Sequence, residues 1–134
     1  MIKNLLDDIT NDIAAIERAL KLQKKAASVG FDWKNSEDII KKIEEELTEI
    51  QDVLNNKLSS DNLSEELGDL MFCCINLARH YQIDPEAALN KTNNKFIKRF
   101  NYIEHSLRKR NKLILDISLE EMDRLWEEAK KDTI

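Results

Sequence analysis

Glycine and proline are nearly missing from this chain of 134 residues, which holds two glycines, Gly30 and Gly68, and one proline, Pro85. A phosphate-cradling loop of the P-loop or dinucleotide type needs closely spaced glycines, so that route to nucleotide binding is excluded. Strand-like alternation is lacking as well, and an all-α fold follows with little competition. The only cysteines, Cys73 and Cys74, are adjacent. They read as small core residues of a protein kept in a reducing compartment, not as a staple across the fold. No apolar run approaches membrane-spanning length, and the opening stretch MIKNLLDDITND has neither the basic flank nor the apolar run of a secretory signal. A cytoplasmic protein is the expectation. No serine or cysteine stands in a nucleophile motif, and His80 and His105 lack ligand spacing. A net charge of −5 without a basic tail argues against duplex nucleic acid as the partner.

Charge and helical periodicity are what the chain does have. Charged residues make up 35% and hydrophobic ones 42%, enough for the modest core of a single domain over residues 1–134. About five helices are predicted, packed as a bundle. The first runs from about Asn4 to Val29, with Leu5, Ile9, Ile13, Ile16 and Leu20 on one stripe and Gly30 as its stop. Ser36 is a plausible N-cap for the second. The third spans roughly Leu63 to Tyr81, and its apolar arc is wide enough to predict burial on more than one side. Gly68 lies inside it, where close approach of another backbone would explain a residue about 1 kcal/mol worse than alanine. Asp84 and Pro85 open the fourth helix, with Phe96, Phe100, Ile103 and Leu107 at core spacing and the basic run Arg108 to Lys112 at its dipole-favoured end. Ser118 and Glu121 form a capping box for the last, which continues to about Lys131.

Four acidic residues stand out from this scaffold: Glu46 and Glu49 on the second helix, Glu66 and Asp69 on the third. Each pair is spaced i, i+3, so its carboxylates share a helix face. The seams beside them, Ile43, Leu47, Ile50 and Leu54, then Leu63, Leu67, Leu70 and Cys74, stand in the same relation to both pairs. At roughly 100° per residue, Glu46 and Glu66 lie about 60° from the start of their seams, Glu49 and Asp69 about 120°. An antiparallel hairpin turning through Asn55 to Asp61 brings Glu49 level with Glu66, and Glu46 level with Asp69. Two carboxylates about 5 Å apart repel by roughly 3 kcal/mol at an effective dielectric near 20, but by under 1 kcal/mol in water. A cleft holding them needs cations. Hard oxygen ligands suit Mg²⁺, with Mn²⁺ as a substitute, and Mg²⁺ commonly shares its shell with phosphate. A solvated acidic face is the bland alternative.

Lys95 and Arg99 are i, i+4 neighbours on the fourth helix, and Trp126 and Lys130 on the last. Cations with an aromatic ring are the minimum for gripping phosphates and stacking a base, although basic residues on a helical surface are solubilising far more often than they are ligands, and Trp126 also suits the core.

The acidic pattern Glu45, Glu46, Glu49, then Glu66 and Asp69, resembles that of the MazG-type nucleoside triphosphate pyrophosphohydrolases. LQKKAASVGFDW at Leu22 to Trp33, EELGDLMFCCINLAR at Glu65 to Arg79, KTNNKFIKRF at Lys91 to Phe100 and LEEMDRLWEEAK at Leu119 to Lys130 extend the likeness over roughly residues 15 to 131. It is nearest to the catalytic C-terminal domain of two-domain members. The resemblance implies an all-α, Mg²⁺-dependent enzyme that splits nucleoside triphosphates into a monophosphate and pyrophosphate, with a house-cleaning role in the nucleotide pool. It implies Glu46, Glu49, Glu66 and Asp69 as catalytic metal ligands, and Lys95, Arg99, Trp126 and Lys130 as substrate-binding residues. Glu45 belongs to the written motif, but its helical angle points away from the cluster. A homodimer or higher homo-oligomer is implied too. The rival readings are an enzyme restricted to one substrate, such as a dCTP, dUTP or phosphoribosyl nucleotide, and a non-catalytic helical interaction module.

Overall fold

The structure, a computed structural model, describes residues 3–132, all but the first two residues of the opening stretch and the last two of the chain. Five α-helices form and no strand occurs among the described residues: α1 (Ala15–Ala27), α2 (Ser36–Asn55), α3 (Ser60–His80), α4 (Pro85–Lys109) and α5 (Leu119–Asp132), with a short 3-10 turn at Ile114–Asp116. None of them is long and apolar enough to cross a membrane. The chain divides into two compact units, the first through Glu86 and the second from Ala87.

In the first unit α2 and α3 pack along one another and α1 packs on α3. Asn35, not Ser36, caps α2, its Oδ1 accepting the Asp38 N–H at 2.9 Å. Ser59 does the same for α3 through the Asn62 N–H. Four helices end alike, with a residue of positive φ following: Gly30 (92°), Lys57 (52°), Gln82 (57°) and Asn111 (54°). After each, a paired backbone bond reaches back into the last turn, as from Leu58 N to Val53 O at 3.1 Å and Lys57 N to Leu54 O at 3.3 Å. This arrangement satisfies carbonyls that a helix end otherwise leaves free.

The first helix is shorter than expected, because the chain runs through turns at residues 5–8 and bends at 9 and 11–13 before it starts. Asp7 accepts the Asn4 N–H through its carboxylate at 2.9 Å, and the Thr10 hydroxyl donates to Asp12. Such short polar side chains offer the backbone alternatives to helix. Leu5 and Leu6 stay about two-fifths exposed.

The apolar seams are also displaced from their expected positions. On α2 the buried line is Ile39, Glu46 and Val53, while Leu47 and Leu54 are more than half exposed. On α3 Cys73 and Ile75 are buried, whereas Leu67, Met71 and Phe72 are exposed. Cys74, expected in the core, is exposed. The inward-facing Glu46 is met by Lys42, one turn earlier on the same helix, at 3.1 Å. Among the described residues no atom outside α3's own backbone lies within 4 Å of where a Cβ on Gly68 would stand, so none of them explains the glycine.

The second unit packs Ile103 and Leu107 of α4 against Leu125 of α5, with Ile114, Ile117 and Trp126 around them. Phe96 and Phe100 are 56% and 38% exposed, so the core stripe of α4 is confined to its C-terminal half. Ser118 caps α5 by accepting the Glu121 N–H at 3.1 Å. The Glu121 carboxylate turns to Lys112 and Arg124.

Candidate active site

Rigid mid-helix positions carry the carboxylates of the α2–α3 hairpin. Glu46, Glu66 and Asp69 each present an oxygen within 4.8 Å of the others, graded from buried Glu46 through half-buried Glu66 to exposed Asp69. Glu49 lies beside Glu66 and is the main reason that the Glu66 pKa rises to about 7. Burial and the nearby charge of Glu46 push in the same direction. Packing has therefore brought like charges together at a point where one of them holds its proton near neutrality.

Two oxygens of the cluster, Glu46 Oε2 and Glu66 Oε2, are buried without a hydrogen-bond partner. Leaving such an atom unmet costs roughly 1–3 kcal/mol, and more when it is charged. The other side of Glu46 is met by Lys42, whose ammonium lies 3.1 Å from Glu46 and 3.3 Å from Glu45. These two partners raise the Lys42 pKa well above the ordinary lysine range. Glu45 thus serves Lys42 on the exposed side and stands outside the cluster. Lys42 itself escaped the sequence reading, although its i, i+4 spacing to Glu46 was the available signal. The thiol of Cys73 is pushed up by burial and then by the charge of Glu46, which disfavours the thiolate.

Lys95, Arg99, Trp126 and Lys130 all lie in the second unit. The guanidinium of Arg99 sits 5.5 Å from the centroid of the Trp126 ring, and its buried Nε has no hydrogen-bond partner. Trp126 in turn packs on Phe96 at 5.4 Å, so it is both a core residue and the platform under a cation. Lys95 is exposed. The ammonium of Lys130 pairs with Glu127 at 3.1 Å, with both side chains close to half exposed or more. An exposed pair of this kind contributes about 1 kcal/mol at most, so the ammonium can turn to another anion at little cost.

A second polar network joins α1, the Gly30–Trp33 turn and α3. Arg79 donates to both carboxylate oxygens of Asp32, at 2.6 and 3.2 Å, and to Asn76 Oδ1 at 3.0 Å. Gln23, only 6% exposed, accepts from Arg79 at 3.4 Å and donates to the Phe72 carbonyl at 3.0 Å. The Arg79 guanidinium, with His80 and the Trp33 N–H assisting, holds the Asp32 carboxyl far below the ordinary carboxylate range.

The profile of the MazG nucleotide pyrophosphohydrolase domain matches residues 34–103. The nucleoside triphosphate pyrophosphohydrolase/pyrophosphatase MazG of Thermotoga maritima is 38% identical over 125 residues, which cover 93% of this chain and 48% of that protein. The nucleoside triphosphate pyrophosphohydrolase of Escherichia coli K12 is 38% identical over 130 residues, 96% of this chain and 49% of its own length. YabN of Bacillus subtilis, an uncharacterized protein, is 45% identical over 128 residues and is covered over 26% of its length. The chain thus spans about half the length of the first two relatives.

Proposed function

This chain belongs to the MazG nucleotide pyrophosphohydrolase domain family, and from that premise we propose that it hydrolyses nucleoside triphosphates to a nucleoside monophosphate and pyrophosphate, residues 1–134 acting as one catalytic domain. The observation that carries the reading is the convergence of Glu46, Glu66 and Asp69, with two buried oxygens left unmet. An all-carboxylate donor set fits Mg²⁺, with Mn²⁺ as a substitute. Glu46, Glu49, Glu66 and Asp69 would hold it. When bound, such an ion supplies polarisation of phosphate oxygens and offsets the charge of the triphosphate.

The chain's own residues have separate tasks in this reaction. A carboxylate of the cluster takes the proton of the attacking water. Arg99, its face held over Trp126, grips phosphate through the in-plane N–H groups of its guanidinium edge, and Lys95 and Lys130 add point charges. Trp126 keeps Arg99 in place. We extend the reading to a cytoplasmic homodimer. The free thiols Cys73 and Cys74 fit a reducing compartment. Leu47, Leu54, Leu67 and Met71, each at least 43% exposed, offer the apolar surface that a second copy would cover.

The test is a product-resolved assay with Mg²⁺ and a panel of ordinary and damaged nucleoside triphosphates. Pyrophosphate and monophosphate in equal amounts are expected. Orthophosphate as first product contradicts the assigned bond, and undiminished turnover in both Glu49→Ala and Asp69→Ala contradicts the assigned site.

A further inference from the structure

The four carboxylates of the hairpin are not equivalent, because a cation of the protein reaches one of them. Among the described residues, Glu46 is the one member of the cluster with an ion-pair partner: Lys42 takes its Oε1 at 3.1 Å. The other oxygen, Oε2, is buried and has no hydrogen-bond partner. We infer that Lys42 is a positioning residue that reserves Oε1, so that Glu46 gives a metal Oε2 alone and the cluster favours small octahedral cations over larger ones. The inference rests on the pyrophosphohydrolase reading and its divalent-cation site.

Local structure sets up the pair. A helical side chain leans toward the N-terminus, over the preceding turn, which lays the Glu46 carboxylate beside a residue four positions earlier. Glu45 takes the same ammonium at 3.3 Å from the exposed side, so two anions anchor one cation. The side chain of Glu46 is 4% exposed, and little water is at hand to replace Lys42 on Oε1. Withdrawing the ammonium would leave a second buried oxygen unmet, a costly change for a charged acceptor. Helix support does not account for the pair, since lysine before glutamate is the weaker of the two i, i+4 orders.

Coordination chemistry turns this contact into a preference. Mg²⁺ demands near-ideal octahedral geometry and meets a protein through few carboxylate oxygens, keeping water and phosphate for the rest. One oxygen from Glu46 suits it. Ca²⁺ takes about six to eight oxygens and often both from one carboxylate, and Lys42 denies it the second. A role confined to offsetting charge has a different signature. Both ions carry the same charge, so loss of a merely neutralising lysine would strengthen them alike, whereas loss of a constraint on Glu46 favours the larger ion.

The experiment titrates the nucleotide-free chain with Mg²⁺ and with Ca²⁺ by calorimetry. Lys42→Met should shift the ratio of the two affinities about tenfold toward Ca²⁺. Lys42→Arg keeps a cationic donor and should hold the ratio within about twofold of wild type. An unaltered ratio in Lys42→Met, or an equal shift in Lys42→Arg, overturns the inference. Wild type supplies a measurement that no variant's folding can obscure. The ammonium signal of Lys42 in ¹⁵N NMR should stay protected from solvent exchange when Mg²⁺ saturates the cluster, and loss of that protection would show the ion displacing Lys42 from Oε1 and overturn the inference. Reaction and inference fail separately. A shifted ratio without triphosphate hydrolysis contradicts the reaction alone, hydrolysis with an unaltered ratio contradicts the inference alone, and binding of neither ion overturns the inference together with the metal assignment.

Discussion

Glu46 and Glu66 meet across the α2–α3 interface, an oxygen of each within 4.8 Å of the other, and each has a buried Oε2 that no hydrogen bond satisfies. On the Glu46 side a lysine of the same helix supplies counter-charge. On the Glu66 side Asp69 joins the cluster, and Glu49 with Glu46 drives the Glu66 pKa upward. The hairpin therefore stands partly neutralised, and the remainder of its negative charge is what a divalent cation would answer.

Mg²⁺ binding should depend on pH in a definite direction. In the metal-free chain Glu66 holds its proton to about pH 7, against 4.5 for an ordinary glutamate. Its contribution to stability is thus fully present below about 4.5, declines as pH rises toward 7 and is a penalty above it. A cation competes with that proton. Mg²⁺ affinity should rise between about pH 6 and 8, and binding near pH 6.5 should release protons, read by calorimetry in buffers of different ionisation enthalpy. Chelation above pH 7 should lower the melting temperature. An affinity flat across this range would separate Glu66 from the metal.

Lys42→Ala removes the cation facing an almost fully buried carboxylate. A fully buried pair broken in this way costs about 3–5 kcal/mol. Lys42 is one-third exposed, so water screens part of the loss and about 1–2 kcal/mol is expected. Mg²⁺ should recover much of it, because the ion supplies the missing charge to Glu46. Urea unfolding with and without Mg²⁺ measures both. A loss that Mg²⁺ leaves untouched would mean that Lys42 acts through packing alone.

How far these features could be read in advance depended on what set them. The carboxylates were legible because i, i+3 spacing and a shared centre in the turn are properties of sequence position, and the helices themselves follow from apolar periodicity. Gly30 announced its turn. Lys57 and Gln82 did not, since a left-handed residue other than glycine is disfavoured by about 1–2 kcal/mol and is held there by the closing backbone bonds of the helix end. Placing leucines inward hid the true interface, in which Glu46 is buried and Leu47 is not. Periodicity identifies a face but says nothing of a lysine that lets a carboxylate occupy it. The Asp32–Arg79–Gln23 network joins residues 47 and 56 positions apart, and no local pattern could have shown it.

Arg79→Ala should be among the costliest single changes in the first unit. It leaves Asp32 charged without its main partner and frees the buried Gln23 carbonyl oxygen, and such losses together amount to about 2–4 kcal/mol after allowance for the exposure of Asp32. Lysine cannot reproduce a two-pronged contact to Asp32 with further bonds to Gln23 and Asn76, so Arg79→Lys should recover less than half. The pH dependence runs opposite to that of Glu66. The Asp32 carboxyl is depressed in the folded chain, so this stabilisation is present above about pH 4 and is lost as the solution is acidified below it. Acid titration monitored by circular dichroism should show wild type and Arg79→Ala converging at low pH.

Trp126→Ala should act on fold and reaction together. The ring packs beside the Ile103, Leu107 and Leu125 core and against Phe96, and its removal should cost about 3–5 kcal/mol. Trp126→Phe keeps a ring at the site and should limit the loss to about 1–2 kcal/mol. Arg99 loses part of its platform in both variants, so KM for triphosphate should rise more than kcat falls. A change confined to kcat would contradict the assignment of Arg99 to phosphate binding.

Gly68→Ala offers the last test, and its sign is informative. Within the chain a Cβ at this position meets open space, so the substitution should simply gain helix propensity, about 1 kcal/mol in a helix interior. Urea unfolding at low protein concentration should show that increase. If another copy of the chain packs its backbone against this stretch of α3, the added methyl group obstructs it, and sedimentation equilibrium should show weaker self-association while the separated chains become more stable. A stability gain with unaltered association would place Gly68 outside any contact between copies. A loss of stability at dilutions where only single chains are present would require a close neighbour within the same chain, contrary to the open surface described here.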